Sequence, residues 1–257
     1  MHTLFVIMPV FNEAATLMEC VERVLAVQLP QPWSTHIVLI DDGSDAPTKT
    51  AAQTIAARHG DRVRFIHHSC NKGKGAALQT GMADALRRSN NEMDAVIIQD
   101  SDLEYDPHDY IPLLGALDAA TQRTAVFGNR WHASHAPASL YGRLHRCANR
   151  ILTLASNSLT GLRISDMECC YKMMRCSDLR RILPHLTEQR FGIEPQIAAA
   201  LAAEGVSVIE VPVTYAPRSR HAGKKIGPAD GIRALYVILR SRVSALRKSS
   251  ANDLPTA

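Results

Sequence analysis

The chain has 257 residues and a formal net charge of +4, with 46% hydrophobic and 21% charged residues. That length holds one large domain with a sizeable core, and the composition excludes a mainly disordered chain, a fibrous repeat and a disulfide miniprotein. The small net charge hides a split: residues 1–129 carry 10 Lys+Arg against 16 Asp+Glu, and residues 130–257 carry 19 against 9.

The apolar run LFVIMPV at residues 4–10 predicts a buried strand. A helix is expected from Asn12 through Leu25. A second strand at residues 36–40 stops at Asp41-Asp-Gly-Ser44, and residues 48–57 read as helix. The third strand, 63–67, is followed by Asn71-Lys-Gly-Lys-Gly75 and a helix over 76–88. The fourth strand, 95–98, ends at Gln99-Asp-Ser-Asp102. A helix over 108–120 and a fifth strand at 124–127 complete the first half. Short continuous apolar runs alternating with helices predict an α/β fold with a doubly wound, mostly parallel sheet. Ligands of such a sheet bind outside the carboxyl ends of its strands, and all four polar clusters fall there.

After residue 130 the pattern changes. Residues 140–159 predict a helix with Leu144, Ala148, Ile151, Leu152 and Ala155 on one side. A strand is expected at 207–213, then a basic, glycine-rich loop over 218–231. An amphipathic basic helix follows over 232–246, with Ile232, Leu235, Leu239 and Leu246 on one stripe. That helix reads either as packed on the domain or as lying on an anionic membrane surface. Residues 249–257 read as a flexible tail. No apolar run reaches the length of a membrane span, and the N-terminus lacks the features of a secretory signal. Six cysteines without a Cys-x-x-Cys pair argue against zinc. Adjacent Cys169 and Cys170 read as small buried residues of a reducing compartment.

Asp100-Ser-Asp102, with Glu104 beyond it, is the sharpest chemical feature. Carboxylate oxygens suit a hard cation such as Mg²⁺ or Mn²⁺ bound with substrate phosphates; a solvated acidic turn is the alternative. Asp41 and Asp42 are placed to accept hydrogen bonds from a base edge or ribose, or to end the strand before a helix cap at Ser44 or Asp45. Glu13 either caps a helix or positions a nucleotide. In Asn71-Lys-Gly-Lys-Gly75 the glycines allow close backbone approach to a ligand, and the helix start favours anions. The stretch is neither a P-loop nor a dinucleotide fingerprint, so ATPase and NAD-dehydrogenase readings lose support. Aromatics are 5% and no stacking motif occurs, so no nucleic-acid partner is expected. His67, His68, His132 and His135 lack evident ligand partners and read as surface residues.

These stretches resemble the inverting family 2 glycosyltransferases, and more narrowly the polyprenyl (dolichyl) phosphate sugar synthase group. The resemblance rests on Met8-Pro-Val-Phe-Asn-Glu13, Asp41-Asp-Gly-Ser44, Asn71-Lys-Gly-Lys-Gly75 and Asp100-Ser-Asp102. It continues through Gly128-Asn-Arg130, Asp166-Met-Glu-Cys-Cys-Tyr-Lys172, Arg190-Phe-Gly-Ile-Glu194, Glu210-Val-Pro-Val-Thr-Tyr215 and Gly223-Lys-Lys-Ile-Gly-Pro-Ala-Asp-Gly231. Ser101 stands where the family usually has alanine.

The resemblance implies a GT-A fold with a nucleotide-sugar and metal-binding half over 1–130. The acceptor-binding half would be 131–248, a helical extension of the same domain. It implies transfer of a sugar from a nucleotide-diphosphate sugar to a polyprenyl phosphate, with a divalent cation, at the cytoplasmic face of a membrane. A glycan or glycolipid hydroxyl as acceptor, or a non-catalytic binding module, are the competing readings. Pro9, Phe11, Glu13, Asp41, Asp42, Lys74 and Asp100 would bind the nucleotide. Asp100, Asp102 and Glu104 would hold the metal. Arg130, Arg143, His145, Arg146, Arg218 and Arg220 are the candidates for the acceptor phosphate; which of Arg143 and Arg146 points inward stays open. Asp102, Asp166 and Arg130 are the catalytic candidates. Asp166 and Glu168 lie where inverting relatives place a base or an acceptor-binding acid, and Asp166 reads equally as a helix cap.

Overall fold

A computed structural model of the chain describes residues 1–131 and 140–218, with Arg233, Tyr236, Val237 and Arg240; side chains at 140–145 are outside that description. Seven strands form one sheet: β1 (His2–Val10), β2 (Trp33–Asp41), β3 (Val63–His67), β4 (Ala95–Ile98), β5 (Thr124–Asn129), β6 (Lys172–Arg175) and β7 (Ser207–Pro212). The helices are α1 (Leu17–Ala26), α2 (Ala46–Arg58), α3 (Lys74–Arg88), α4 (Tyr110–Ala119), α5 (Leu140–Thr160), α6 (Cys176–Ile182) and α7 (Ile193–Ala203). The strand order is β3-β2-β1-β4-β6-β5-β7. All neighbours run parallel except around β6, which is antiparallel to both β4 and β5.

The central strands are apolar on both faces because helices cover both. Leu4, Val6, Ile7, Met8, Ile37 to Ile40 and Ala95 to Ile98 are fully buried, which is why their sequences run apolar without alternation. Register then sets the functional edge. Ile7 pairs with Val38 and Ile98, and Val10 pairs with Asp41. The chain therefore leaves β1, β2 and β4 side by side. Gln99 donates its N–H to Ile7 O, Asp42 to Val10 O and His68 to Asp41 O, extending the sheet one step into the loops.

Three differences from the sequence reading have physical causes. The first helix starts at Leu17, not Asn12, because Asn12 takes a left-handed φ of 53° and the Glu13 carbonyl receives the Thr16 and Leu17 amides. Strand β6 is only four residues, rich in methionine, and carries little strand signal. Helix α5 is turned relative to expectation. Ile151 is 62% and Leu154 57% exposed, Ala148 is also exposed, and Asn149, Thr153 and Ser156 are buried. The inward polar face has work to do: Thr153 Oγ1 accepts the Met167 amide, and Asn157 bonds both the N–H and C=O of Ile164. It thus fixes the segment leading to residues 166–172. The helix read over 232–246 and the loop after Arg218 lie outside the described residues, four helix positions excepted.

Candidate active site

Loops leaving the carboxyl ends of β1, β2 and β4, joined by segments from the second half, enclose a cavity of about 390 Å³. Pro9, Phe11, Glu13, Asp42, Lys74, Asp100, Asp102, Glu104, Arg130 and Arg218 line it. So do Glu168, Arg190, Phe191, Glu194 and Tyr215. Ten of the residues read from sequence as site residues therefore meet around one space, contributed by both halves of the chain.

At the β2 end, Asp42 is 2% exposed and held by three donors. The Lys72 and Gly73 amides reach it at 3.0 and 2.7 Å, and His68 Nδ1 lies 2.7 Å from Oδ1. His68 is buried, with Nε2 3.0 Å from Thr80 Oγ1. His68 is therefore not the surface residue the sequence suggested; His67 is exposed as expected, but its Nδ1 lies 2.9 Å from Asp41 Oδ2. Asp41 is fully buried, receives the Ser44 amide as well, and does not line the cavity. It shapes the turn, and Asp42 is the carboxylate that lines the cavity. Gly73 and Gly75 also act differently from expectation. A Cβ at Gly73 would stand 2.4 Å from Gln189 O, and one at Gly75 2.2 Å from Glu188 O. The glycines admit the 188–190 backbone, and Ala76 donates to Gln189 O. The start of α3 is covered by protein there.

The acidic motif follows β4. Lys74 Nζ lies 2.8 Å from Asp100 Oδ1 and 3.0 Å from Glu194 Oε1. Glu194 Oε2 receives fully buried Lys172 at 2.6 Å. Burial alone would raise the Asp100 carboxyl, but Lys74 holds it below the usual range. Asp102 goes the other way, pushed up to about 6 by burial and by Asp100 and Glu104, with Arg218 opposing. Between Asp102 and Glu104, Leu103 adopts φ 63°, a costly conformation for a non-glycine residue and typical of functional loops.

Glu104 is committed to the chain itself. Its oxygens accept from Tyr215 Oη and the Arg218 amide, both at 2.8 Å. Arg218 meanwhile reaches Glu13 at 2.9 Å and Asp102 at 2.9 Å. Among the described residues no group of three or more His, Cys, Asp or Glu is set for a metal. The all-oxygen donor set at Glu13, Asp102 and Glu104 suits a hard cation by chemistry, and the cation standing there is the Arg218 guanidinium. Glu104 thus belongs to the anchor of the 213–218 segment rather than to a free metal shell.

At the β5 end Arg130 and Asp166 form a fork, Nε to Oδ2 at 2.8 Å and Nη2 to Oδ1 at 2.7 Å. Asp166 also receives the Arg130 amide, is fully buried and does not line the cavity. No helix follows it, so it caps none. Arg130 faces the cavity and stacks on Tyr215 at 5.2 Å. Arg146 stacks on Trp131 at 5.1 Å, outside the lining. The side chains of Arg143 and His145, and all of Arg220, lie outside the described residues. Sequence reasoning passed over Glu194, Lys172 and Arg190 as individuals, although two quoted motifs contain them. A buried lysine pairing a carboxylate 22 positions away has no local signature.

A family model described as Glycosyl transferase family 2 matches residues 5–183. The chain belongs to that family. It is 29% identical over 226 residues to the polyprenol monophosphomannose synthase of Mycolicibacterium smegmatis, covering 86% of this chain and 80% of that one. It is 26% identical over 237 residues to the dodecaprenyl-phosphate galacturonate synthase of Rhizobium johnstonii, covering 92% of this chain. There it spans 65% of the relative's length, just under two thirds. Among solved structures it resembles glucosyl-3-phosphoglycerate synthase from Mycobacterium tuberculosis in complex with UDP. The TM-score is 0.66 at 18% identity, with 94% of this chain and 80% of that one covered. At that identity the likeness establishes the shared GT-A fold, with one β6 strand reversed in a parallel sheet.

Proposed function

We propose that this family 2 chain transfers a sugar from a nucleotide-diphosphate sugar to a polyprenyl phosphate, with inversion at the anomeric carbon. The observation that carries the reading is the fork of Arg130 on Asp166. The carboxylate that would serve as base for a hydroxyl acceptor is fully buried and engaged through both oxygens. A phosphate acceptor needs no such base, because it is already largely ionised near neutral pH. It needs cations, and Arg130 and Arg190 line the cavity. The names of the two curated relatives support the same acceptor class.

In this reading Pro9, Phe11 and Asp42 take the nucleoside, and Asp42 offers an acceptor-only carboxylate to an N–H or O–H. Lys74 faces the diphosphate. Asp102, with Asp100 beside it, would hold Mg²⁺ or Mn²⁺ once Arg218 yields; solved structures of the similar glucosyl-3-phosphoglycerate synthase contain Mg²⁺ or Mn²⁺. Such a cation neutralises charge on the departing nucleoside diphosphate. No helix among the described residues is long and apolar enough to cross a membrane. The test offers purified protein radiolabelled nucleotide sugars with polyprenyl phosphate and Mg²⁺ or Mn²⁺. Label extracted into organic solvent is the expected result. Label passing only to a soluble glycan would overturn the reading.

A further inference from the structure

The nucleotide end and the far end of the cavity lie on opposite sides of the acidic motif. Asp42 follows β2, Asp100 follows β4, and Glu168 precedes β6, the neighbour of β4 on the other side. Glu168 lines the cavity. Its Oε1 is sealed from solvent and has no hydrogen-bond partner among the described residues. A buried polar atom without a partner calls for one, and the residue that carries it lines the cavity.

The surrounding charges are already matched. Lys172 on β6 is taken by Glu194 and the Cys169 carbonyl. Lys74 on α3 is taken by Asp100 and by Glu194 on α7. Arg130 after β5 is taken by Asp166. Three cations thus face four carboxylates, Asp100, Asp166, Glu194 and Glu168, and Glu168 is the one left over. Burial, then the Glu194 charge, push its carboxyl up to about 7, against the pull of Lys172, Arg130 and Lys74. A proton is the missing fourth positive charge.

We propose that Glu168 is a recognition residue for the transferred sugar, holding a proton and presenting one donor and one acceptor to sugar hydroxyls. A carboxylic acid offers that pair side by side, which suits neighbouring hydroxyls on a pyranose. A carboxyl raised to about 7 is also placed to act as a general base, so binding and turnover must be read separately. The proposal rests on the nucleotide-sugar reading above.

The experiment measures binding of UDP and UDP-glucose, and of GDP and GDP-mannose, to the wild type, Glu168→Gln and Glu168→Ala. Glutamine keeps a donor and an acceptor and removes the charge. Glu168→Gln is expected to bind the nucleotide sugar as the wild type does. Glu168→Ala is expected to bind it about three- to tenfold more weakly, the worth of one or two hydrogen bonds, with binding of the free nucleotide unchanged. Wild-type affinity for the nucleotide sugar should decline as pH rises through about 7, and that of Glu168→Gln should not. Unchanged nucleotide-sugar binding in Glu168→Ala would overturn the proposal. So would loss of turnover in Glu168→Gln with binding retained, which would make Glu168 a base. Because binding is read without any acceptor, failure to label lipid counts against the acceptor assignment alone.

Discussion

Arg218 Nη2 lies 2.9 Å from Asp102 Oδ2, so the chain supplies its own cation to the carboxylate with the strongest claim on a metal. The same guanidinium holds Glu13, and its backbone amide holds Glu104. A divalent cation bound there, as proposed, would compete with the guanidinium for one set of oxygens. Arg218→Gln is expected to tighten Mn²⁺ binding in the nucleotide-free protein by about three- to thirtyfold, a part of what charge-assisted hydrogen bonds are worth. Mn²⁺ titration followed by electron paramagnetic resonance measures it. Weaker Mn²⁺ binding in the variant would show that the guanidinium helps rather than competes.

His68 acts through Asp42. Its Nδ1 supplies one of three donors that fix the carboxylate, and its Nε2 meets Thr80. His68→Leu leaves Asp42 on two backbone amides and Thr80 without its partner. Affinity for UDP is expected to fall about three- to thirtyfold, and folding stability by about 1–3 kcal/mol, the cost of an orphaned buried group. Calorimetric titration and urea unfolding give the two numbers. Equal affinity with lower stability would mean that His68 supports the fold without shaping the pocket.

The sheet and its loaded edge were legible because doubly buried parallel strands write continuous apolar runs, and the polar residues that interrupt them fall at strand ends. Residues 63–67 and 95–98 match β3 and β4 to the residue. What local pattern could not carry were partnerships across long sequence gaps. Arg130 meets Asp166 36 positions away, Lys172 meets Glu194, and Arg218 meets Glu13 205 positions away. The reading of α5 failed for a related reason. Its apolar stripe is real, but Thr153 and Asn157 turn inward to carry backbone hydrogen bonds of the following loop, and periodicity registers no such demand.

The Arg130–Asp166 fork is a buried ion pair, so its value shows in what breaks when one partner leaves. Arg130→Met strands a fully buried carboxylate. Stability is expected to drop by about 3–5 kcal/mol. Arg130→Met combined with Asp166→Asn should recover most of that loss, since the orphaned charge is gone. Denaturant unfolding of the four proteins in a double-mutant cycle measures the coupling. A double variant as unstable as Arg130→Met alone would locate the loss in packing on Trp131 and Tyr215 instead.

Glu168 also sets a pH dependence of stability. Its carboxyl has a usual value of 4.5 and stands at about 7 in the fold. Below the lower value both folded and unfolded chains keep the proton, and above the higher value both release it. Between them only the unfolded chain releases it, so the folded state binds more protons and stability falls as pH rises across that window. Glu168→Gln removes this slope. The variant should match the wild type near the lower limit and exceed it by about 1–3 kcal/mol at pH 8. Urea midpoints at a series of pH values measure the difference. A difference of the opposite sign would mean that Glu168 is ionised and paired in the folded protein, and the charge count around Lys74, Lys172 and Arg130 would have to be drawn again.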